Sequence, residues 1–156
     1  KKLKPSDYSE IPINTDDFGM VMLTLGPRAK GAFTVSQVSA GNKNSLRWEV
    51  YGTKSGVAWN QERPDELWVG HRNSPNQVLI KDGSLMKPSA AAFAELPGGH
   101  SEGYDDSHKM NFKLFYGKIA NPKMAVNFPT FADGLRGMRC LEAVLKSHKS
   151  RKWVKV

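Results

Sequence analysis

The residues best suited to chemistry in this chain of 156 stand together in Pro97-Gly98-Gly99-His100-Ser101-Glu102-Gly103-Tyr104. Glycines leave the backbone N–H groups approachable, His100 supplies a base near neutral pH, and Glu102 adds a carboxylate at the expected start of a helix. That combination makes a pocket edge or an anion-binding corner. The same residues also suit a plain glycine-rich connection, with Ser101 as a helix cap and His100 in solvent.

Other constellations fall short of what their chemistry demands. Histidines occur at 71, 100, 108 and 148 without an H-x-x-x-H or H-E-x-x-H pair, so no metal site is expected. Asp105 and Asp106 are adjacent and point to different sides of a helix, which rules out a paired glycosidase dyad. No strand-to-helix nucleophile elbow is expected. Cys140 is the single cysteine, which excludes an internal disulfide framework and thiolate clusters within one chain, and its place inside a helical pattern reads as packing. Neither a G-x-G-x-x-G turn between strand and helix nor a P-loop occurs, so this part is expected to bind no nucleotide by itself.

The elements that must position these residues follow from periodicity. Phe18 to Leu25 is almost wholly apolar, as in a strand covered on both faces, and Gly26-Pro27 ends it. Gly31 to Val38 gives a second strand. In the third, Leu46, Trp48 and Val50 alternate with Arg47, Glu49 and Tyr51, the pattern of a half-buried strand. Val57 to Trp59, Glu66 to His71 and Gln77 to Lys81 complete the set, and the short turns between them favour antiparallel pairing. Ala90 to Ala94 suits one helical turn. A helix then carries Tyr104, His108, Phe112, Phe115 and Ile119 within an arc of ~80° at ~100° per residue, which predicts a buried stripe with His108 in the core. Pro122 closes it. A second helix opens at Thr130 with Asp133 reciprocating the cap, and its expected buried stripe is Leu135, Met138, Leu141, Val144 and Leu145. Trp153 to Val156 reads as a last short strand. The predicted fold is α+β, a mostly antiparallel open-faced sheet with two main helices packed on one face, in a single domain over residues 1–156. The other face must then meet water, a partner subunit or another domain.

Composition sets the frame. Hydrophobic residues make up 39% and charged residues 24%, a globular balance, and no apolar run approaches the ~20 residues of a membrane helix. No signal peptide is expected, and with the lone cysteine this points to the cytoplasm. Lys1 rather than Met opens the chain, so it is expected to begin inside a longer reading frame. The net charge of +8 gathers at Lys1, Lys2 and Lys4 and at Lys146, Lys149, Arg151, Lys152 and Lys155. These are either solvated basic termini or the footprint of an anionic partner. Glu142 interrupts the basic face of the last helix, which argues against nucleic acid.

Read in order, several stretches resemble the C-terminal domain of the glucose–fructose oxidoreductase, inositol dehydrogenase and MocA (Gfo/Idh/MocA) family. They are Asp16-Asp17 before the first strand, Ser36-Gln37-Val38-Ser39-Ala40-Gly41, Glu49-Val50-Tyr51-Gly52-Thr53-Lys54-Ser55-Gly56 and Trp59-Asn60-Gln61-Glu62-Arg63-Pro64. The Pro97 to Tyr104 loop, Pro129-Thr130-Phe131-Ala132-Asp133-Gly134 and Glu142-Ala143-Val144 through Trp153-Val154 complete them. The resemblance implies a two-domain NAD(P)-dependent oxidoreductase acting on a sugar or polyol. This chain would be its substrate-closing and oligomerisation domain, inactive alone. NAD or NADP would belong to a Rossmann domain absent from this chain, and the catalytic residues would lie upstream of Lys1. His100, Gly99, Glu102 and Tyr104 are the candidates for substrate contact, and Arg47, Glu49 and Tyr51 for a homo-oligomer interface through the open sheet face. The alternative is a stand-alone basic binding module for an anionic ligand or nucleic acid, whose affinity would fall steeply with salt.

Overall fold

The computed structural model describes residues 4–156; Lys1 and Lys2 of the N-terminal basic group lie outside them. The chain forms two compact units, one taking the chain up to Asn42 together with Ala143–Lys155, the other Lys43–Glu142.

In the first unit, β1 (Phe18–Leu25) and β2 (Ala29–Ser36) pair antiparallel from Phe18↔Ser36 to Leu25↔Ala29. Gly26 makes the turn with φ +66, which an L side chain rarely adopts. Successive side chains of a strand point to opposite faces, and here Val21 and Leu23 are half-buried while Met20 and Met22 are 70% and 73% exposed. The apolar run of β1 therefore does not mark a strand covered on both faces. The methionine side of this two-stranded ribbon is exposed.

The second unit holds a four-stranded antiparallel sheet in the order β3 (Arg47–Tyr51), β4 (Ser55–Asn60), β5 (Glu66–His71) and β6 (Gln77–Ile80). Directly paired residues share a face. Trp48↔Trp59, Val50↔Val57, Trp59↔Leu67 and Val57↔Val69 place the alternating apolar residues together, and the Trp48 and Trp59 rings stack with centroids 6.2 Å apart. The Trp59 indole N–H donates to Pro64 O at 2.9 Å, which ties the β4–β5 turn to the sheet. The opposite face carries Arg47, Glu49 and Tyr51 with Trp68, Val78 and Ile80. Gly56 pairs with Gly70 on that face, and both are buried because the Tyr51 ring lies where a Cβ of Gly56 would stand and the Trp68 ring where one of Gly70 would. Aromatic rings laid over paired glycines close a gap in an otherwise bare sheet surface.

All the expected strands through β6 are present, but β3 is exposed along its whole length and not half-buried. It is the edge strand, and the helical cover reaches only the end of the sheet near Trp59. Residues 153–156 form no strand. Arg151, at φ +56, turns the chain out of the last helix and leaves that segment without a ladder to join.

Three helices follow: α1 (Pro88–Ala91), α2 (Tyr104–Ala120) and α3 (Phe131–Ser150). The α3 start is the expected box, with Thr130 N donating to Asp133 Oδ2 at 2.9 Å and Asp133 N to Thr130 Oγ1 at 3.4 Å. Gly103, not Ser101, caps α2, its N–H donating to Asp106 Oδ2 at 3.0 Å. The buried stripe of α2 overturns the sequence expectation. Asp106, Met110, Leu114 and Gly117 face inward, with Met110 the most deeply buried hydrophobic side chain among the described residues. Tyr104, His108, Phe112, Phe115 and Ile119 lie ~160° around the helix at ~100° per residue, and all are exposed. α3 behaves alike: Cys140, Ala143, Val144 and Ser147 are partly buried, while Leu135, Met138, Leu141 and Leu145 are exposed. Periodicity found a real apolar stripe on each helix, but the stripe faces away from this chain. His108 is correspondingly not a core residue; its ring meets Tyr104 edge-on at 4.6 Å on the surface.

Gly70→Val forces the new side chain into the space of the Trp68 ring. The expected result is a large shift of the Trp68 indole N–H resonance and a loss on the order of 1 kcal/mol by urea denaturation. An unmoved resonance would show that the ring does not depend on the glycine.

Candidate functional site

The glycine-rich loop begins with a tight turn. His100 N–H donates to Pro97 O at 3.2 Å, and Gly99 occupies the third position with φ +82, so only glycine sits there without strain. Gly98 passes close to Asp82, whose carboxylate accepts from the N–H and hydroxyl of Ser84; a Cβ on Gly98 would lie 2.9 Å from Asp82 Oδ2. His100 projects from this turn, exposed, with Nδ1 3.4 Å from Gly98 O.

Below the turn lies a polar cluster that the sequence reading missed. The Lys81 ammonium, at the end of β6, contacts a Glu102 carboxylate oxygen, donates to Leu96 O at 3.2 Å and stands 4.0 Å from Asp65. Its side chain is only 11% exposed and that of Glu102 only 10%. Glu102 Oε1 accepts from Glu95 N–H at 2.8 Å, Glu102 N–H reaches Asp65 Oδ1 at 3.3 Å, and Lys81 N–H donates to Asp65 O at 2.7 Å. Burial pushes the Glu102 carboxyl up, but the Lys81 ammonium and the backbone N–H groups of Glu95 and Leu96 outweigh it and hold it below its ordinary value. Residues 65, 81, 95 and 102 carry no spacing signature; only the turn of the sheet against the start of α2 brings them together.

A cleft of about 980 Å³ opens beside this cluster, between the Trp59 end of the sheet and α2, with Leu46, Trp59, Phe93, Met110 and Leu114 among its walls. Glu102, Gly103 and Tyr104 also line it, whereas Gly99 and His100 do not. Glu102 is thus bonded to Lys81, and His100 stands apart on the turn. Arg47, Glu49 and Tyr51 share the bare sheet face, where Tyr51 Oη donates to Glu49 Oε2 at 2.8 Å; that bond, with some desolvation, raises the phenol above its usual value. A second concave region, of about 370 Å³, lies at the hairpin ends beside Lys54, His71 and Arg72, with Arg72 Nε donating to Thr53 O at 2.9 Å. Among the described residues no three His, Cys, Asp or Glu converge as a metal site would, and no helix is long and apolar enough to cross a membrane.

The loop's C-terminal support also has a pH signature. Lys109 and Lys113 both bond Glu95, at 2.7 and 2.5 Å, and pull its carboxyl from 4.5 down to about 2. A depressed carboxylate stabilises the fold fully above its unfolded value, and that contribution disappears as pH falls from 4.5 toward 2. Glu95→Gln should therefore flatten the acid limb of a stability profile measured over that interval; an unchanged limb would place the acid sensitivity elsewhere.

The profile of the oxidoreductase family's C-terminal alpha/beta domain matches residues 2–156. Levoglucosan dehydrogenase of Pseudarthrobacter phenanthrenivorans is 25% identical, over 93% of this chain and 37% of that protein. The crystal structure of an oxidoreductase from Sinorhizobium meliloti is 34% identical with a TM-score of 0.83, over 91% of this chain and 42% of that one. Levoglucosan dehydrogenase in complex with NADH and levoglucosan shares the fold at a TM-score of 0.81 and 23% identity, over 93% and 40%. The chain thus spans about two-fifths of the length of the relatives it matches. The antiparallel strands, the open sheet and the helices after the glycine-rich loop are those of this domain, and the chain belongs to the Gfo/Idh/MocA oxidoreductase family as its C-terminal alpha/beta domain.

Proposed function

We propose that this chain is the substrate-closing and oligomerisation domain of an NAD(P)-dependent oxidoreductase that acts on a sugar or polyol in the cytoplasm. The observation that carries the reading is surface left uncovered. Large apolar side chains stand exposed on both units, including Met20, Met22, Val50, Phe112 and Ile119. Monomeric proteins rarely leave such patches in water. Two neighbours would cover them. The rest of a longer polypeptide is one and a second copy is the other.

In this reading the cofactor sits in a Rossmann half contributed by the rest of the polypeptide, and that half also supplies the catalytic residues. When bound there, the nicotinamide would supply the hydride acceptor needed to oxidise a carbinol to a carbonyl. The NADH-bound relatives, and an inositol dehydrogenase homologue from Azotobacter vinelandii with NADH and myo-inositol, support that chemistry and the polyol class. This chain's own part is to orient substrate and exclude water: Gly99 and His100 present a donor-rich turn, with Glu102 and Tyr104 behind it. Arg47, Glu49 and Tyr51 supply a polar patch on the bare sheet face for a second copy.

Two measurements test this. Titration calorimetry of residues 1–156 with NAD and with NADP should show no binding up to ~1 mM, the upper range of ordinary enzyme affinities; tight binding would overturn the division of labour. Glu49→Arg in the longer protein should lower the molar mass seen by light scattering, since a like charge placed at the symmetric contact repels its mate. An unchanged mass would move the oligomer contact off this face.

A further inference from the structure

We propose that Lys81 is a positioning residue that staples shut the two ends of the His100 loop. This rests on the proposed role of that loop at the substrate. The loop leaves the chain at Leu96 and rejoins it at Glu102, and one ammonium group holds both points: Lys81 Nζ donates to Leu96 O at 3.2 Å and to the Glu102 carboxylate. The other oxygen of Glu102 closes the same ring from the opposite side, accepting from Glu95 N–H at 2.8 Å. Five residues, Pro97 to Ser101, are thereby looped out from a base in which both charged side chains are about nine-tenths buried.

The staple is itself anchored to the sheet. Lys81 N–H donates to Asp65 O at 2.7 Å, and the Asp65 carboxylate takes Glu102 N–H at 3.3 Å and lies 4.0 Å from the ammonium. The β4–β5 turn, the end of β6 and the entry to α2 therefore meet at one cation. Within the loop, the Pro97–His100 turn fixes His100 relative to those two ends. A lysine with two acceptors and a further carboxylate 4.0 Å away in a partly buried site does not move freely, so the position of the imidazole is inherited from the sheet through Lys81. Arginine, longer and planar, keeps the charge but not the compact ammonium that fits between Leu96 O and the Glu102 carboxylate.

Lys81→Met alone strands the Glu102 carboxylate, so the informative variant is Lys81→Met with Glu102→Gln, which keeps an acceptor for Glu95 N–H. In the full-length protein, hydrogen exchange of the peptide spanning residues 97–101 should rise at least tenfold while peptides of β4 and β5 stay unchanged. Lys81→Arg should fall between the two. Loop exchange that does not change, or exchange that rises equally across the sheet, would overturn the staple. The functional arm uses myo-inositol with NAD: KM should rise about tenfold with kcat within twofold. A loosened loop with unaltered KM would leave the staple standing and remove the loop from the substrate site, refuting the reading on which it rests.

Discussion

Uncovered apolar surface is the constraint behind most of what this chain does. Folding succeeds when burial of apolar area offsets the entropy of ordering the chain, at ~25 cal/mol per Å². Here the buried interior is thin. Met110 is the deepest hydrophobic side chain among the described residues, and the rings of Tyr51 and Trp68 must lie down over Gly56 and Gly70 to shield the open sheet face. Each unit carries exposed apolar side chains, the stripes of α2 and α3 among them.

Polar contacts take over where apolar burial is scarce. The start of α2 is held by Asp106 at its cap, by the Glu95 contacts of Lys109 and Lys113, and by the Lys81–Glu102–Asp65 cluster. A buried ion pair adds little net stability over a well-packed apolar alternative, but it tolerates only one geometry because leaving either charge unpaired is costly. Here that geometry fixes the base of the Pro97 to Ser101 loop. The same loop carries Gly99 at positive φ and a close approach at Gly98, so its shape is fixed at the turn by glycine and at its base by charge.

The two faces of the sheet divide the work. The end near Trp59 meets α2 and encloses the cleft beside Glu102 and Tyr104; the opposite face, with Arg47, Glu49 and Tyr51, lies bare. Family membership covers residues 2–156, so both faces lie within the matched domain.

Sequence alone determined the local elements. Alternation at Leu46 to Tyr51 set β3, the short turns set antiparallel pairing, Thr130 and Asp133 set the start of α3, and the ordered motifs set the family. These signals are local because hydrogen bonding along a strand or helix depends on near neighbours. Tertiary structure decided which way each element faces. The stripe of Tyr104, His108, Phe112, Phe115 and Ile119 is apolar and helical in the sequence, yet periodicity does not say whether its cover comes from this chain or another. It also decided the meeting of Asp65, Lys81, Glu95 and Glu102, which are far apart along the chain and become partners only because the β4–β5 turn, the end of β6 and the entry to α2 converge on one ammonium group.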